Sequence, residues 1–204
     1  ALMLAIHRSQ EHPGEKIVFL APTKPLAEQH LEFFKKHLPE LFGDMQLFTG
    51  QVKSEKRKKI WQTADIIFST PQCVANDVKK GMYDLSEVSL LVEDEAHRCV
   101  KNYDYNFLAK NYMEKSEHPL ILGMTASPGS DKKKIKQICE NLSIGKVELR
   151  SRKSSDVKDY LQELEFEKLK TDLPGEFWQI KRSLKKIFDS YIEFLKDRKM
   201  LFKP

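Results

Sequence analysis

Along residues 1–150 the chain alternates between short β-branched apolar runs and longer stretches whose apolar residues recur every three or four positions. The short runs predict strands at 17–21, 46–49, 65–69, 89–93, 120–124 and 146–149. The periodic stretches predict helices at 26–38, 54–62, 72–80, 103–115 and 131–141; in the first of them Leu26, His30, Leu31, Phe33 and Phe34 share one side. Strand, helix, strand in repetition predicts an α/β fold with a parallel sheet covered by helices on both faces, because parallel neighbours need a crossover and a helix is the usual one. Inner strands buried on both faces read as unbroken apolar runs, as Ile17 to Leu20 does. Residues 1–9 read as a helix already under way, since no Ser, Thr, Asp or Asn caps its first apolar residue.

Beyond Leu149 the texture changes to a charged connector, 150–155, followed by two helical segments. The second, from Pro174 to about Lys199, repeats Phe177, Ile180, Leu184, Ile187, Phe188, Tyr191, Ile192 and Leu195 at helical spacing. Pro174 falls in its first turn, where a missing N–H costs nothing. At 1.5 Å per residue such a helix is roughly 39 Å long, and its apolar stripe needs a partner. That partner is either a second, helical domain whose remainder lies elsewhere, or the α/β layer itself. The expected organisation is one domain over 1–150 and the opening of another over 151–204.

Composition narrows the class. In 204 residues, 40 % are hydrophobic and 32 % charged, against a usual charged share of about 25 %, which excludes a disordered tail and predicts a heavily charged exterior. The apolar runs at 17–22 and 88–92 fall far short of the roughly 20 residues that span a bilayer, and no charged leader precedes a cleavage site. The expectation is an intracellular protein that does not enter membranes. Three widely spaced cysteines, Cys73, Cys99 and Cys139, cannot build a disulfide framework or a four-cysteine metal site and read as reduced thiols. The net charge of +5 is too mild to prove a polyanionic partner. Two clusters are sharper: Lys53, Lys56, Arg57, Lys58 and Lys59 on one short helix, and Lys132, Lys133, Lys134 and Lys136 opening another. Lysines in a first turn oppose the helix dipole by about 0.3–1 kcal/mol each, which hints at a nearby phosphate; a solvated charged face is the commoner explanation and the one adopted.

The sharpest chemical signal is Val92-Glu93-Asp94-Glu95-Ala96-His97, an apolar strand ending in DEAH. Average residue frequencies give that tetrapeptide about once in a thousand chains of this length. Ligands of open α/β sheets bind outside the carboxyl ends of strands, so two carboxylates there can serve a metal and a reacting group. Asp94 is the candidate to hold Mg²⁺ through its water shell. Glu95 is the candidate to orient or deprotonate an attacking water, and His97 to hydrogen-bond across the cleft. The other histidines show no metal-ligand spacing and read as structural.

Four further segments occur in order around DEAH. Pro22-Thr23-Lys24 lies at the end of a predicted strand and the start of a helix, Thr49-Gly50-Gln51 and Thr70-Pro71-Gln72 follow the next two strands, and Thr125-Ala126-Ser127-Pro128-Gly129 follows the fifth. A hydroxyl or N–H at a helix start offers a phosphate a donor without reading sequence. Together these motifs resemble those of superfamily 2 helicases. DEAH with Asn102-Tyr103-Asp104-Tyr105, Gly123-Met124-Thr125, Ser155-Asp156-Val157 and Asp172-Leu173-Pro174 is similar to the archaeal Hef and Fanconi anaemia M branch, whose innate-immune double-stranded-RNA-sensing relatives usually carry Cys at the position of Ala96.

The resemblance covers essentially the whole chain and implies a RecA-like first helicase domain followed by the start of a helical, thumb-like insertion. It implies ATP and Mg²⁺ as cofactors, nucleic acid as partner with forked or branched DNA favoured and RNA possible, and a role in repair. It assigns nucleic-acid contact to Pro22, Thr23, Lys24, Thr49, Gly50, Gln51, Thr70, Pro71 and Gln72, and coupling of the two sites to Thr125, Ala126 and Ser127. Family members hold the triphosphate with a glycine-rich loop ending in Gly-Lys-Thr or Gly-Lys-Ser. The only Gly-Lys here is Gly145-Lys146, followed by Val147 and with Glu140 five residues before it, so it is not that loop. The chain is therefore expected to begin after the phosphate loop and to work with the rest of its polypeptide, a second RecA-like domain included. Alone it is expected to hydrolyse ATP poorly. The rival readings are a double-stranded-RNA translocase or sensor, an RNA helicase, and a nucleic-acid-binding module without catalysis.

Overall fold

Five of the apolar runs become strands, and helices between them force a parallel arrangement. The computed structural model describes residues 1–100, 104–151, 154–158, 167–172, 174–198 and 200. It divides into two units, Ala1–Glu148 and Leu149–Pro204. The first contains β1 (Lys16–Leu20), β2 (Met45–Phe48), β3 (Ile66–Ser69), β4 (Val88–Asp94) and β5 (Ile121–Met124). They form one sheet in the order β2-β3-β1-β4-β5, with every pairing parallel. The helices are α1 (Leu2–Glu11), α2 (Lys24–His37), α3 (Ser54–Thr63), α4 (Pro71–Lys79), α5 (Asp104–Lys115) and α6 (Lys132–Asn141).

Alternate strand residues feed two separate cores. Ile17, Phe19, Ile66, Phe68, Leu90 and Val92 pack with Ala5 of α1 and with Leu31 and Phe34 of α2. Val18, Leu20, Ile67, Val88 and Leu91 pack on the other face with Trp61 of α3, Val74 of α4, and Tyr105, Leu108 and Tyr112 of α5. The period of two is broken once: Lys16 pairs with Val88 but Ile17 pairs with Leu90, so Ser89 is an extra residue. The Ser89 carbonyl accepts a hydrogen bond at 3.0 Å from the Arg8 guanidinium on α1, which satisfies a group that the irregular ladder leaves out.

Residues 146–149 are not a strand. Val147 and Leu149 are 53 % and 73 % exposed, and Lys146 pairs with Glu148 at 3.0 Å in place of any ladder. A strand exists only through bonds to a neighbour, and the alternation of Val147 and Leu149 has no apolar surface to bury against. The remaining boundaries shift by at most two residues. Pro25 and Pro71 sit in the first turns of α2 and α4, where a proline loses no helical hydrogen bond.

In the second unit, α7 (Ser155–Lys158) and α8 (Gly175–Asp197) form where the two helical segments are expected. The rest of the first segment, Asn102, Tyr103, Leu173 and Lys199 lie outside the described residues. Among the described residues no helix is long and apolar enough to cross a membrane.

Glu93 of β4 is fully buried; the Cys99 thiol donates to its Oε2 at 3.6 Å, and Oε1 has no hydrogen-bond partner among the described residues. Burial pushes its carboxyl well above the ordinary range, and the Cys99 thiol opposes that only in part. A carboxyl with a raised folded pKa keeps its proton in the folded state after the unfolded chain has released it. Stability is therefore greatest below the unfolded value of about 4.3, and falls by about 1.4 kcal/mol per pH unit as the pH rises toward the folded value. Glu93→Gln is expected to remove that slope. Urea denaturation at pH 5 and pH 7 should show the variant gaining on the wild type as the pH rises; parallel pH profiles would show that Glu93 does not carry the proton.

Candidate functional site

In a fully parallel sheet all strands end at one edge. The segments singled out in the sequence therefore converge there: Pro22-Thr23-Lys24 after β1, Thr49-Gly50-Gln51 after β2, Thr70-Pro71-Gln72 after β3, Asp94 to His97 at the end of β4, and Thr125-Ala126-Ser127 after β5. Strand order sorts them further. The DEAH segment lies between the β1 and β5 loops, and the Thr49 and Thr70 segments lie beyond β1.

Asp94 and Glu95 are held differently. The Asp94 carboxylate accepts the Glu95 backbone N–H at 3.0 Å through Oδ1, and its Oδ2 lies 2.9 Å from His30 Nε2. The Asp94 carbonyl accepts the Tyr105 hydroxyl at 2.8 Å. Glu95 adopts the left-handed region, φ 53° and ψ 44°, and the chain then enters a short 3₁₀ turn, Ala96–Arg98. That conformation costs a side-chain-bearing residue about 1–2 kcal/mol and turns Glu95 toward the β5 loop. Glu95 Oε2 lies 3.1 Å from His97 Nδ1 and accepts the Thr125 hydroxyl at 3.5 Å. His97 Nδ1 is 2.9 Å from Thr125 Oγ1, which also accepts the Ser127 backbone N–H at 3.2 Å. Glu95, His97 and Thr125 thus meet at one point, with Ser127 tied behind them. Close approach of the two loops needs Gly123: a Cβ there would lie 3.2 Å from the Ala96 methyl.

Both carboxylates remain partly open to solvent, with side chains 19 % and 33 % exposed. Hard oxygen donors at an accessible strand end suit Mg²⁺, which keeps several waters and takes one or two carboxylates. The donor set fits that metal, and no glycine-lysine phosphate cradle occurs anywhere in the 204 residues.

On the other side of β1, Thr23 and Thr70 occupy the caps of α2 and α4 in extended conformation, yet neither side chain makes a capping hydrogen bond. Their hydroxyls are left available at helix starts. Lys24 Nζ donates to Gln51 Oε1 at 3.2 Å, joining the first two segments across the edge. Gly50, Gln51 and Gln72 are exposed, Thr49 and Pro71 are buried, and Ala126 and Ser127 are exposed.

Arg57 departs from the expectation of a solvated basic face. Lys53, Lys56, Lys58 and Lys59 are exposed, whereas Arg57 is buried. Its guanidinium grips Asp77 of α4 with two hydrogen bonds, 2.6 and 2.5 Å, and donates to the carbonyls of Thr49, at 3.0 Å, and Val52. Asp77 also accepts the Tyr83 hydroxyl at 3.0 Å. The Asp77 hydrogen bonds raise the Arg57 pKa against the lowering effect of burial, and burial followed by the Asp77 charge pushes Tyr83 up. A buried, bidentate Arg57–Asp77 pair thus fixes the loop that carries Thr49-Gly50-Gln51. By contrast Lys132, Lys133, Lys134 and Lys136 are exposed, as expected, and Asp131 caps their helix by accepting the Lys133 N–H at 2.9 Å.

Two participants were not legible as such: His30, which lies on the apolar side of α2, and the Arg57–Asp77 pair, hidden in a lysine run and a polar helix. Arg57→Met is expected to destabilise the chain by about 3–5 kcal/mol in urea denaturation, because Asp77 is left charged and buried. Arg57→Met with Asp77→Leu is expected to recover most of that loss. A single-variant effect below about 1 kcal/mol would mean that the pair is not buried in solution.

The DEAD/DEAH box helicase family model matches residues 1–135. A Fanconi anemia group M protein homolog of Mus musculus is 37 % identical over 193 residues, 94 % of this chain and 10 % of the relative. A putative ATP-dependent RNA helicase of Methanocaldococcus jannaschii is 39 % identical over 181 residues, 89 % of this chain and 22 % of the relative. An ATP-dependent DNA helicase of Schizosaccharomyces pombe is 32 % identical over 183 residues, 90 % and 22 % of the two chains. The crystal structure of the Pyrococcus furiosus Hef helicase domain matches with a TM-score of 0.75 at 39 % identity, covering 97 % of this chain and 41 % of that one. The chain thus spans less than a quarter of the length of these curated relatives.

Proposed function

Since the chain belongs to the DEAD/DEAH box helicase family, we propose that it supplies the DEAH half of an ATP site and one wall of the nucleic-acid track in an intracellular, ATP-dependent DNA helicase acting on forked or branched DNA in repair. The observation that carries this reading is the meeting of Glu95, His97 and Thr125 at one point. It joins the residue suited to handle water to the loop after β5 that carries Thr125, Ala126 and Ser127, the residues assigned to coupling.

Mg²⁺ bound with ATP supplies neutralisation of the charge that builds on the β- and γ-phosphates. Asp94 is the residue that would hold the metal, with His30 orienting its carboxylate from behind. Glu95 orients the attacking water and accepts its proton at Oε2, the atom that already faces His97 and Thr125. A change of charge on Oε2 alters which of those two groups it holds. Thr125 passes the change to Ala126 and Ser127 through the Ser127 N–H bond. On the track, Pro22, Thr23, Lys24, Thr49, Gly50, Gln51, Thr70, Pro71 and Gln72 present hydroxyls, backbone N–H groups and one ammonium to the phosphate backbone, contacts that position a strand without reading its bases. The phosphate loop and the second RecA-like domain are contributed by other parts of the helicase, and residues 151–204 open the helical insertion.

Nucleic-acid-stimulated ATP turnover tests the catalytic part. The chain alone is expected to turn over weakly. A chimera that adds the phosphate loop and second RecA-like domain of a family member should gain at least about 100-fold and lose it on Glu95→Gln. Robust turnover by the chain alone, abolished by Glu95→Gln, would overturn the dependence on a loop from elsewhere. The RNA reading draws on the Methanocaldococcus jannaschii relative, a putative ATP-dependent RNA helicase. Competition at fixed salt separates the two, because phosphate contacts by themselves bind both polymers. Forked DNA is expected to displace duplex RNA, and the reverse order would favour an RNA substrate.

A further inference from the structure

The opposite edge of the sheet, where the strands begin, carries a second cluster that the helicase chemistry does not use. His12 ends α1, Glu15 immediately precedes β1, and His118 lies in the segment before β5. One ligand atom from each lies within 4.8 Å of the other two. Glu15 Oε1 is 2.7 Å from His118 Nδ1 and 4.0 Å from His12 Nδ1, and the two imidazole rings lie with centroids 4.1 Å apart at a tilt of 31°. The second Glu15 oxygen, Oε2, is buried and has no hydrogen-bond partner among the described residues. A carboxylate oxygen shut away from water calls for a donor or a cation.

The backbone around these three side chains is tied down. Arg8 of α1 donates to the His118 carbonyl at 2.6 Å and to the Ser89 carbonyl at 3.0 Å. The His118 N–H bonds the Ser116 hydroxyl at 3.2 Å, and the Glu15 N–H bonds the His12 carbonyl at 3.2 Å. Gly14, at φ 87°, makes the turn that brings Glu15 back toward His12.

We propose that His12, Glu15 and His118 form a binding site for a borderline divalent d-block cation, with Zn²⁺ as the occupant. Two imidazole nitrogens and one carboxylate oxygen are a zinc donor set, with a fourth position left for water. Mg²⁺ and Ca²⁺ demand oxygen shells and are poorly matched. Tetrahedral ligand atoms at zinc distances stand about 3.3 Å apart. The present 2.7 and 4.0 Å bracket that value, so small rotations of two rings suffice. On binding, His118 coordinates through Nδ1 as its Nε2–H tautomer, so the metal takes the place of the hydrogen between Nδ1 and Glu15 Oε1 and the ring carries its hydrogen on Nε2 instead. The bound ion clips the turn after α1 to the segment before β5, at the edge remote from Asp94 and Glu95.

Co²⁺ and Zn²⁺ are the probes. In metal-free buffer, added Co²⁺ is expected to give the visible absorption of a four- or five-coordinate nitrogen–oxygen site, without the near-ultraviolet band of a thiolate ligand. One equivalent of Zn²⁺ should bleach it, and millimolar Mg²⁺ should not. Zn²⁺ at about 100 times its dissociation constant is expected to raise the melting temperature by on the order of 5 °C. His12→Ala and His118→Ala should each weaken Co²⁺ binding at least tenfold. His118 is 45 % exposed, so its variants should melt like wild type without metal; His118→Asn gives the same reading should the alanine variant not fold. His7→Ala should retain the site, which separates it from the exposed pair of His7 and Glu11, 3.3 Å apart. Absence of the band in the wild type, or undiminished binding in the His12 and His118 variants, overturns the proposal.

Discussion

Everything at the candidate site depends on parallel pairing of five short strands. Because each strand returns in the same direction through a helix, each carboxyl end opens on the same edge. Five loops that are scattered through the chain become neighbours, and their order across the edge follows the order β2-β3-β1-β4-β5. The DEAH segment falls beside the Thr125 loop because β4 pairs with β5. The segments proposed for the track fall on the other side because β1, β3 and β2 follow one another on the side of β4 opposite β5. The sheet therefore sets the relation between the proposed hydrolytic centre and the proposed binding track before any side chain acts.

Charged contacts then fix the loops that the sheet has gathered. Arg57 is the clearest case: it sits inside a run of lysines, yet its guanidinium is buried against Asp77 and holds the carbonyls of Thr49 and Val52. A planar fork of five donors can satisfy a carboxylate and two carbonyls at once, which a lysine cannot. His30 plays a comparable part for Asp94 from the other face of the sheet. The left-handed Glu95 and the bare Cα of Gly123 complete the arrangement by letting the turn after β4 press against β5.

The α/β class, the five strands and most helix limits were readable from periodicity, because strand and helix periods are local properties. The DEAH residues and the four flanking motifs were readable as well, since their chemistry is concentrated in contiguous residues. The failures have a common cause. The stretch 146–149 alternates like a strand, but pairing is a property of the neighbour it lacks. Arg57 looks like its lysine neighbours, but burial is decided by where α3 meets α4. His30, His12 and His118 looked structural because spacing along the chain was the criterion, and their partners are 64 or 103 positions away for His30 and for the His118–Glu15 contact.

By itself the sequence determined which segments can form strands and helices, which of them bring hydroxyl and carboxylate groups to the strand ends, and the family they resemble. Each of those is encoded in residues close together in the chain. Only the tertiary structure decided that Glu95, His97 and Thr125 share one point, that Arg57 is an internal strut, and that His12, Glu15 and His118 converge at the opposite edge. The physical reason is that hydrogen bonds and ligand sets are satisfied within about 3 Å in space, while strand order, which no single segment specifies, determines what lies within that distance.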